Sequence, residues 1–218
     1  MNIYEKYVLP KLIHLAMRNK GAMAERAKFI PLASGIVLEI GVGSGLNLPF
    51  YGPKVEKLYA LDPSLELWKM ARQRVKEAPF PVEFLAASAE CIPLKDGSAD
   101  TVVTTWTLCT IPNALRALTE MRRVLKPKGQ LIFVEHGRSP DPAVLAWQNW
   151  LTPVWKRIGG GCHLNRQIDE LIADAGFDIT QIERGYSRGP KPMAYLYRGC
   201  ALARTAAGER VVPCSNGT

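Results

Sequence analysis

The sequence predicts an α/β fold: a largely parallel sheet, doubly wound by helices on both faces. Three observations predict it. Short apolar runs recur at 36–40, 57–61, 82–87, 101–105 and 130–135, the length and composition of strands buried on both sides. Amphipathic helical stretches separate several of these runs, which is the alternation that builds parallel sheets. The first run ends in Glu39-x-Gly41-x-Gly43-x-Gly45 and the second closes on Asp62, so two neighbouring strand ends carry groups suited to one nucleotide-like ligand.

Taken in order, the N-terminal stretch places Tyr4, Tyr7, Val8, Leu12 and Leu15 near helical spacing beside Lys6, Lys11, Arg18 and Lys20. It reads as a basic amphipathic segment whose first turn is limited by Pro10. Two uses compete for residues 1–30, a helical lid over a ligand and a surface that touches anionic lipid. After the first run, Gly41, Gly43 and Gly45 suit a tight strand-to-helix turn that exposes backbone amides. Asp62 lies seventeen positions beyond Gly45, where a carboxylate can accept hydrogen bonds from both ribose hydroxyls. Ser64 caps a helix running to about Glu77, with Leu65, Trp68, Ala71 and Val75 on one face. Asn113 to Leu125 forms another, with Leu115, Leu118, Met121 and Leu125 apolar. Residues 143–166 are rich in tryptophan and kinked by Pro153, and the range 138–165 reads as an insertion on the substrate side. Asn165 caps a third helix that Gly176 stops. The runs Ile179–Glu183 and Ala194–Ala203, joined by a Gly- and Pro-rich segment at 185–193, supply strands six and seven.

A chain of 218 residues is long enough for one sizeable core, and neither a linker nor a repeat divides it, so residues 1–204 read as one domain followed by a flexible tail at 205–218. No apolar stretch approaches the roughly 20 residues that span a bilayer, and Glu5, Lys6 and Lys11 interrupt any signal-peptide core. A cytoplasmic location is expected. The net charge of +8 comes from scattered residues without a basic run or an aromatic-interleaved patch, which argues against nucleic acid and fits attraction of an anionic substrate or lipid surface. The five cysteines, at 91, 109, 162, 200 and 214, contain no C-x-x-C pair, so reduced thiols are expected and no metal site.

The glycine pattern itself separates two ligand classes. The dinucleotide fingerprint G-x-G-x-x-G requires glycine at position 46, which is Leu46, and NAD is disfavoured. Acidic-x-G-x-G-x-G, as Glu39, Gly41, Gly43 and Gly45 spell it, resembles the first motif of the class I S-adenosyl-L-methionine (SAM) methyltransferases. Further segments resemble that family in order: Asp62-Pro63-Ser64 its ribose motif, Ala89-Glu90 with Ile92-Pro93-Leu94 its adenine-side segment, Asp96-Gly97-Ser98-Ala99-Asp100 the lead into its fourth strand, and Leu125 to Leu131 the turn before its fifth. The resemblance implies a Rossmann-like seven-stranded sheet with the last strand antiparallel. It also implies SAM as cofactor, S-adenosyl-L-homocysteine as product, and transfer to a small-molecule acceptor (EC 2.1.1 class). Glu39, Gly41, Gly43, Gly45, Asn47, Asp62, Pro63, Ala89, Glu90, Thr105 and Thr107 are the residues expected at the cofactor.

Chemistry in such sheets gathers at the carboxyl ends of the strands, here Thr104 to Cys109 and Glu135 to Arg138. His136, His163 and Arg166 are expected to serve catalysis, by raising the ionised fraction of an acceptor thiol. Tyr4, Tyr7, Trp106, Cys109 and Trp150 are expected on the substrate side. Trp150-x-x-Pro153-x-Trp155 with Gly161-Cys162-x-Leu164-x-Arg166 resembles membrane-associated alkyl-thiol S-methyltransferases, which implies methyl transfer to a thiol or sulfide sulfur. A likeness to bacterial phosphatidylethanolamine N-methyltransferases implies a phospholipid amine as the alternative acceptor, with peripheral contact to the inner face of an anionic membrane. A non-catalytic SAM-binding protein is a third reading. No obligate protein partner is expected.

Overall fold

The computed structural model describes residues 4–204; the tail expected at 205–218 lies outside the described residues. Seven strands, β1 (Gly35–Ile40), β2 (Val55–Leu61), β3 (Val82–Leu85), β4 (Ala99–Thr105), β5 (Leu125–His136), β6 (Phe177–Tyr186) and β7 (Tyr195–Ala203), form one sheet in the order β3-β2-β1-β4-β5-β7-β6. The first five pair parallel, and β7 runs antiparallel to both β5 and β6. The sequence order reverses between β1 and β4. A ligand crevice is expected outside the strand ends at that switch point.

Strand residues alternate between two cores because successive side chains point to opposite faces. Leu38, Ile40, Val102, Leu131 and Phe133 pack with Leu118 and Met121 of α4 (Ala114–Val124) and Ile172 of α6 (Ile168–Asp174). Val37, Leu58, Val103, Ile132 and Val134 pack on the other side with Phe29 of α2 (Lys20–Phe29), and with Trp68 and Val75 of α3 (Leu65–Glu77). Trp68 stacks on Phe84 with ring centroids 4.3 Å apart.

The helix starts at Ser64 and Asn113 are as expected, since the side chain of each accepts a first-turn amide, from Leu67 and Arg116. Leu65 and Leu115 depart from the expected buried faces, with 56% and 43% of their surface exposed. Both sit in a first turn, beside the loop that leaves the sheet, where fewer neighbours cover them. Asn165 does not cap α6. Its amide donates to Asn149 Oδ1 instead, and the helix begins after Gln167 without a side-chain cap. Gly176 does end α6, at φ +86°. Strand five begins earlier than its apolar run, because Leu125 already pairs with Ala99 and a register shift follows around Lys128 at φ 68°.

The N-terminal segment folds as one wide turn (Tyr4–Val8) followed by α1 (Leu9–Ala16) and α2. Pro10 stands at the start of α1, where its missing N–H leaves no hydrogen bond unmade. The insertion is a single 17-residue helix, α5 (Pro142–Ile158), that continues through Pro153. Asp141 caps it by accepting from the amides of Ala143 and Val144. Among the described residues no helix is long and apolar enough to cross a membrane.

Candidate active site

At the switch point a cavity of about 490 Å³ opens between the ends of β1, β2 and β4 and the underside of α1, within the range of small-molecule sites. Its floor is a buried polar network. Glu39 is 1% exposed; its Oε1 accepts from Asn47 Nδ2 at 2.9 Å and its Oε2 from the Tyr51 hydroxyl at 2.8 Å. Asn47 also donates to Thr105 Oγ1 at 3.0 Å, while its Oδ1 accepts from Arg26 Nε at 2.8 Å. Burial raises the Glu39 pKa to about 7 against the pull of Tyr51, Arg26 and Asn47, and burial lowers Arg26 to about 10. The Arg26 guanidinium carbon also lies 4.8 Å from the centroid of the Trp106 ring, close enough for a cation–π contact.

The glycine turn passes beside Asp62. Oδ2 of Asp62 accepts the Gly43 amide at 2.8 Å and Oδ1 accepts the Ser64 amide at 2.7 Å, which aims the carboxylate while leaving each oxygen a second lone pair. Gly41, Gly43 and Gly45 have φ of 69°, 53° and 74°. A Cβ on Gly41 would lie 2.6 Å from Thr107 Cγ2, and one on Gly45 3.0 Å from the Cβ of Ala71 in α3. A Cβ on Gly43 would meet nothing nearer than 3.8 Å, so there the open space belongs to the cavity. Gly45 packs against α3 and, unlike Gly41 and Gly43, does not line the cavity.

Leu9, Pro10, Ile13, His14 and Met17 line the cavity from the side of α1. His14 Nδ1 lies 2.7 Å from Ser44 Oγ, tying α1 to the glycine turn; burial, with Arg74 and Arg18 nearby, lowers its pKa and favours the neutral ring. Opposite, Trp106 holds φ 51° at the end of β4, an uncommon conformation for a bulky residue and one that collects at functional sites. Glu135 supports this wall from behind. Fully buried, it accepts from Thr104 Oγ1 at 2.7 Å and from the amides of Thr107 and Leu108, and burial raises its pKa to about 7 against those donors.

A model of the methyltransferase domain matches residues 38–133. The chain is 38% identical to thiol S-methyltransferase TMT1B of Rattus norvegicus over 67% of its own length and 62% of that protein's. It is 34% identical to TMT1B of Homo sapiens over 86% of its own length and 77% of that protein's. The chain is a class I SAM-dependent methyltransferase. Part of the rat relative therefore lies outside the shared region. Phosphatidylethanolamine N-methyltransferase of Cereibacter sphaeroides is 29% identical over 71% of this methyltransferase and 76% of that protein. Among solved structures, a SAM-dependent methyltransferase from Thermotoga maritima superposes with a TM-score of 0.67 at 22% identity, covering 93% and 98% of the two chains, a likeness of fold.

Of the methyltransferase's expected cofactor residues, Glu39, Gly41, Gly43, Asn47, Asp62, Pro63, Ala89, Thr105 and Thr107 line the cavity. Glu90 does not. Its carboxylate accepts the Asn113 amide at 2.6 Å and its carbonyl accepts Arg116 Nε at 2.9 Å, so it fastens the start of α4. On the expected substrate side only Trp106 lines the cavity. Tyr4 donates to the Ile158 carbonyl at 2.7 Å, Tyr7 is 51% exposed, and Trp150 is 69% exposed against Trp147. An aromatic in a helix packs or faces solvent according to its turn, and the outward turn of α5 carries both tryptophans.

The three residues expected to be catalytic stand behind the wall. Arg166 donates to the carbonyls of Leu108, Ile111 and Pro112, because the tight 107–112 turn leaves carbonyls that need a donor. His163 sits with its amide and Nδ1 at the Cys109 carbonyl, 2.8 and 3.1 Å away. His136 Nε2 lies 3.1 Å from Cys162 Sγ, and its Nδ1 has no partner among the described residues. Cys109, expected at the substrate, is 2% exposed and packs in the same group with Cys162. Its pKa is raised by the hydrogen bond with Cys162 and by burial, whereas that of Cys162 is lowered by Cys109 and by His136. Burial lowers the His136 pKa and Cys162 raises it, with a raised net value. Arg26, His14 and Tyr51 were missed by the sequence reading, which placed Glu135 at the site without a role. Only the lid expected over residues 1–30 hinted at the first two.

Proposed function

We propose that this methyltransferase transfers a methyl group from SAM to the sulfur of a small thiol or sulfide. The observation that carries the reading is the 34% identity to a thiol S-methyltransferase over 86% of the chain, a span too long to be confined to the shared cofactor half. SAM, when bound, supplies an electrophilic methyl on a sulfonium. The cavity fits such a group. Asp62 keeps free lone pairs for two ribose hydroxyls, the space above Gly43 admits a ligand against bare backbone, and Glu39 offers the negative charge that an amino group needs.

The remaining task of the residues is to align the acceptor and exclude water. Ile13, Met17, Trp106 and Ile111 supply an apolar wall. Such a wall favours a thiolate acceptor, since the opposite charges of thiolate and sulfonium cancel as the bond forms and a less polar surround assists that cancellation. A thiol with pKa about 8.5 is a few per cent ionised at neutral pH, so a dedicated base is not demanded. His14, whose neutral form burial favours, lines the cavity from the lid and is placed to take a proton.

The test is conversion of SAM to S-adenosylhomocysteine by the purified chain with alkyl thiols, sulfide and phosphatidylethanolamine vesicles in parallel. Turnover with the sulfur acceptors supports the proposal. Turnover with vesicles alone would move the acceptor to a phospholipid amine, and SAM binding without turnover on any of them would leave the non-catalytic reading.

A further inference from the structure

We propose that Cys109, His136 and Cys162 form a binding site for a thiophilic divalent cation of the zinc type. One ligand atom from each lies within 4.8 Å of the other two, and all three residues are buried. They reach this point from three separate segments: the turn after β4, the last residue of β5 and the loop after α5. Their spacing along the chain has no local motif, which is why the sequence offers no sign of the cluster.

The donor set selects the ion. Two sulfurs and an imidazole suit zinc and its soft neighbours, whereas magnesium and calcium need oxygen. Leu151, Trp155, Leu164 and Met193 pack against the cysteines, and the charged side chains nearest them, Glu135 and Arg166, carry opposite charges, so a bound charge is neutralised chiefly by its own ligands. Two thiolates balance one divalent cation. Two protons are released on binding, one from Cys109 and one held between Cys162 and His136; two metal–sulfur bonds and one metal–nitrogen bond form, and the imidazole is left neutral with one proton on the nitrogen that faces away. Without the ion, Cys109 Sγ meets the Trp106 carbonyl at 3.7 Å and His136 Nε2 meets Cys162 Sγ at 3.1 Å, and thiol hydrogen bonds are weak beside the metal–ligand bonds that would replace them.

The ion would also join parts that matter to the cavity. Thr110, Ile111 and Gly160 line the cavity next to Cys109 and Cys162 in the chain, and a metal between the two cysteines would pin the loop after α5 to the ends of β4 and β5. It would thus fix the acceptor-side wall while leaving the glycine turn and Asp62 untouched.

The experiment is a cobalt(II) titration of the full reduced chain carrying Cys91→Ser and Cys214→Ser, followed by displacement with zinc. One equivalent should bind with a sulfur-to-cobalt charge-transfer band of two-thiolate intensity and should be released by one equivalent of zinc. Cys109→Ser and Cys162→Ser should each halve or abolish the band, and His136→Gln should weaken binding, while all three still bind SAM in equilibrium dialysis. Absence of stoichiometric binding in the unsubstituted cluster overturns the proposal, as does a full band in either cysteine variant or isolation of the chain with a stable Cys109–Cys162 disulfide. Should a cysteine variant fail to fold, the band intensity of the unsubstituted cluster decides, two thiolates supporting the site and fewer refuting it.

Discussion

Asp62 shows how far one residue can be read. Its position after an apolar run pointed to a ribose, but the sequence could not show that the same carboxylate also holds the Gly43 and Ser64 amides. Asp62→Ala would therefore disturb the turn as well as the ligand. Asp62→Asn, which keeps one acceptor, should weaken SAM binding by about 10-fold or more, the value of one charged hydrogen bond, with a small loss of stability; calorimetric titration with unchanged affinity would remove the ribose assignment. Glu39 carries the pH prediction. Its folded pKa of about 7 stands above the ordinary 4.5, so the unfolded chain loses that proton first, and this carboxyl's contribution to ligand-free stability declines between those two values and then levels off. Cationic SAM prefers the ionised form, so its affinity should rise as pH increases through about 7, and Glu39→Gln should flatten that rise. At Gly41, alanine would meet both a positive φ and the Thr107 side chain, and chemical denaturation should show a loss of at least about 1–3 kcal/mol.

At the scale of elements, α1 and α5 are where spacing alone misleads. Amphipathic spacing located α1, yet it was Leu9, Ile13 and His14 that turned to the cavity, while Tyr7, Leu12 and Leu15 turned out, with 51%, 49% and 69% of their surface exposed. The angular setting of a helix is decided by what it packs on, here the Ser44 contact of His14 and the Arg26 bond to the Met17 carbonyl. In α5, Trp147, Trp150, Val154 and Ile158 are likewise exposed, and Tyr4 joins the end of this helix to the lid at the Ile158 carbonyl. Apolar side chains beside Lys11, Arg18 and Lys20 are the arrangement that binds an anionic lipid surface. Sedimentation with anionic vesicles should fall several-fold for Leu15→Glu combined with Trp150→Glu and fall further at high salt. Equal sedimentation of the variant would assign these residues to solvent or to another partner.

For the whole molecule, a ligand that binds only the folded chain stabilises it by mass action. SAM at about 100 times its dissociation constant adds about 2.7 kcal/mol, or a rise in Tm of about 5–11 °C for a domain of this size, and NADH should give none. A shift with NADH alone would return the cavity to a dinucleotide. The alternation of runs and helices, the glycine turn and the acidic strand ends were legible in the sequence because each is set by residues within a few positions of one another, through backbone geometry and period. The strand order, the pairing of β7 with β5 and β6, the arrival of Arg26 and Tyr51 at Glu39, the wall support from Glu135 and the meeting of Cys109, His136 and Cys162 were decided by tertiary structure alone. Each joins segments far apart in the chain, and such contacts depend on how apolar faces choose among neighbours, which no local spacing encodes.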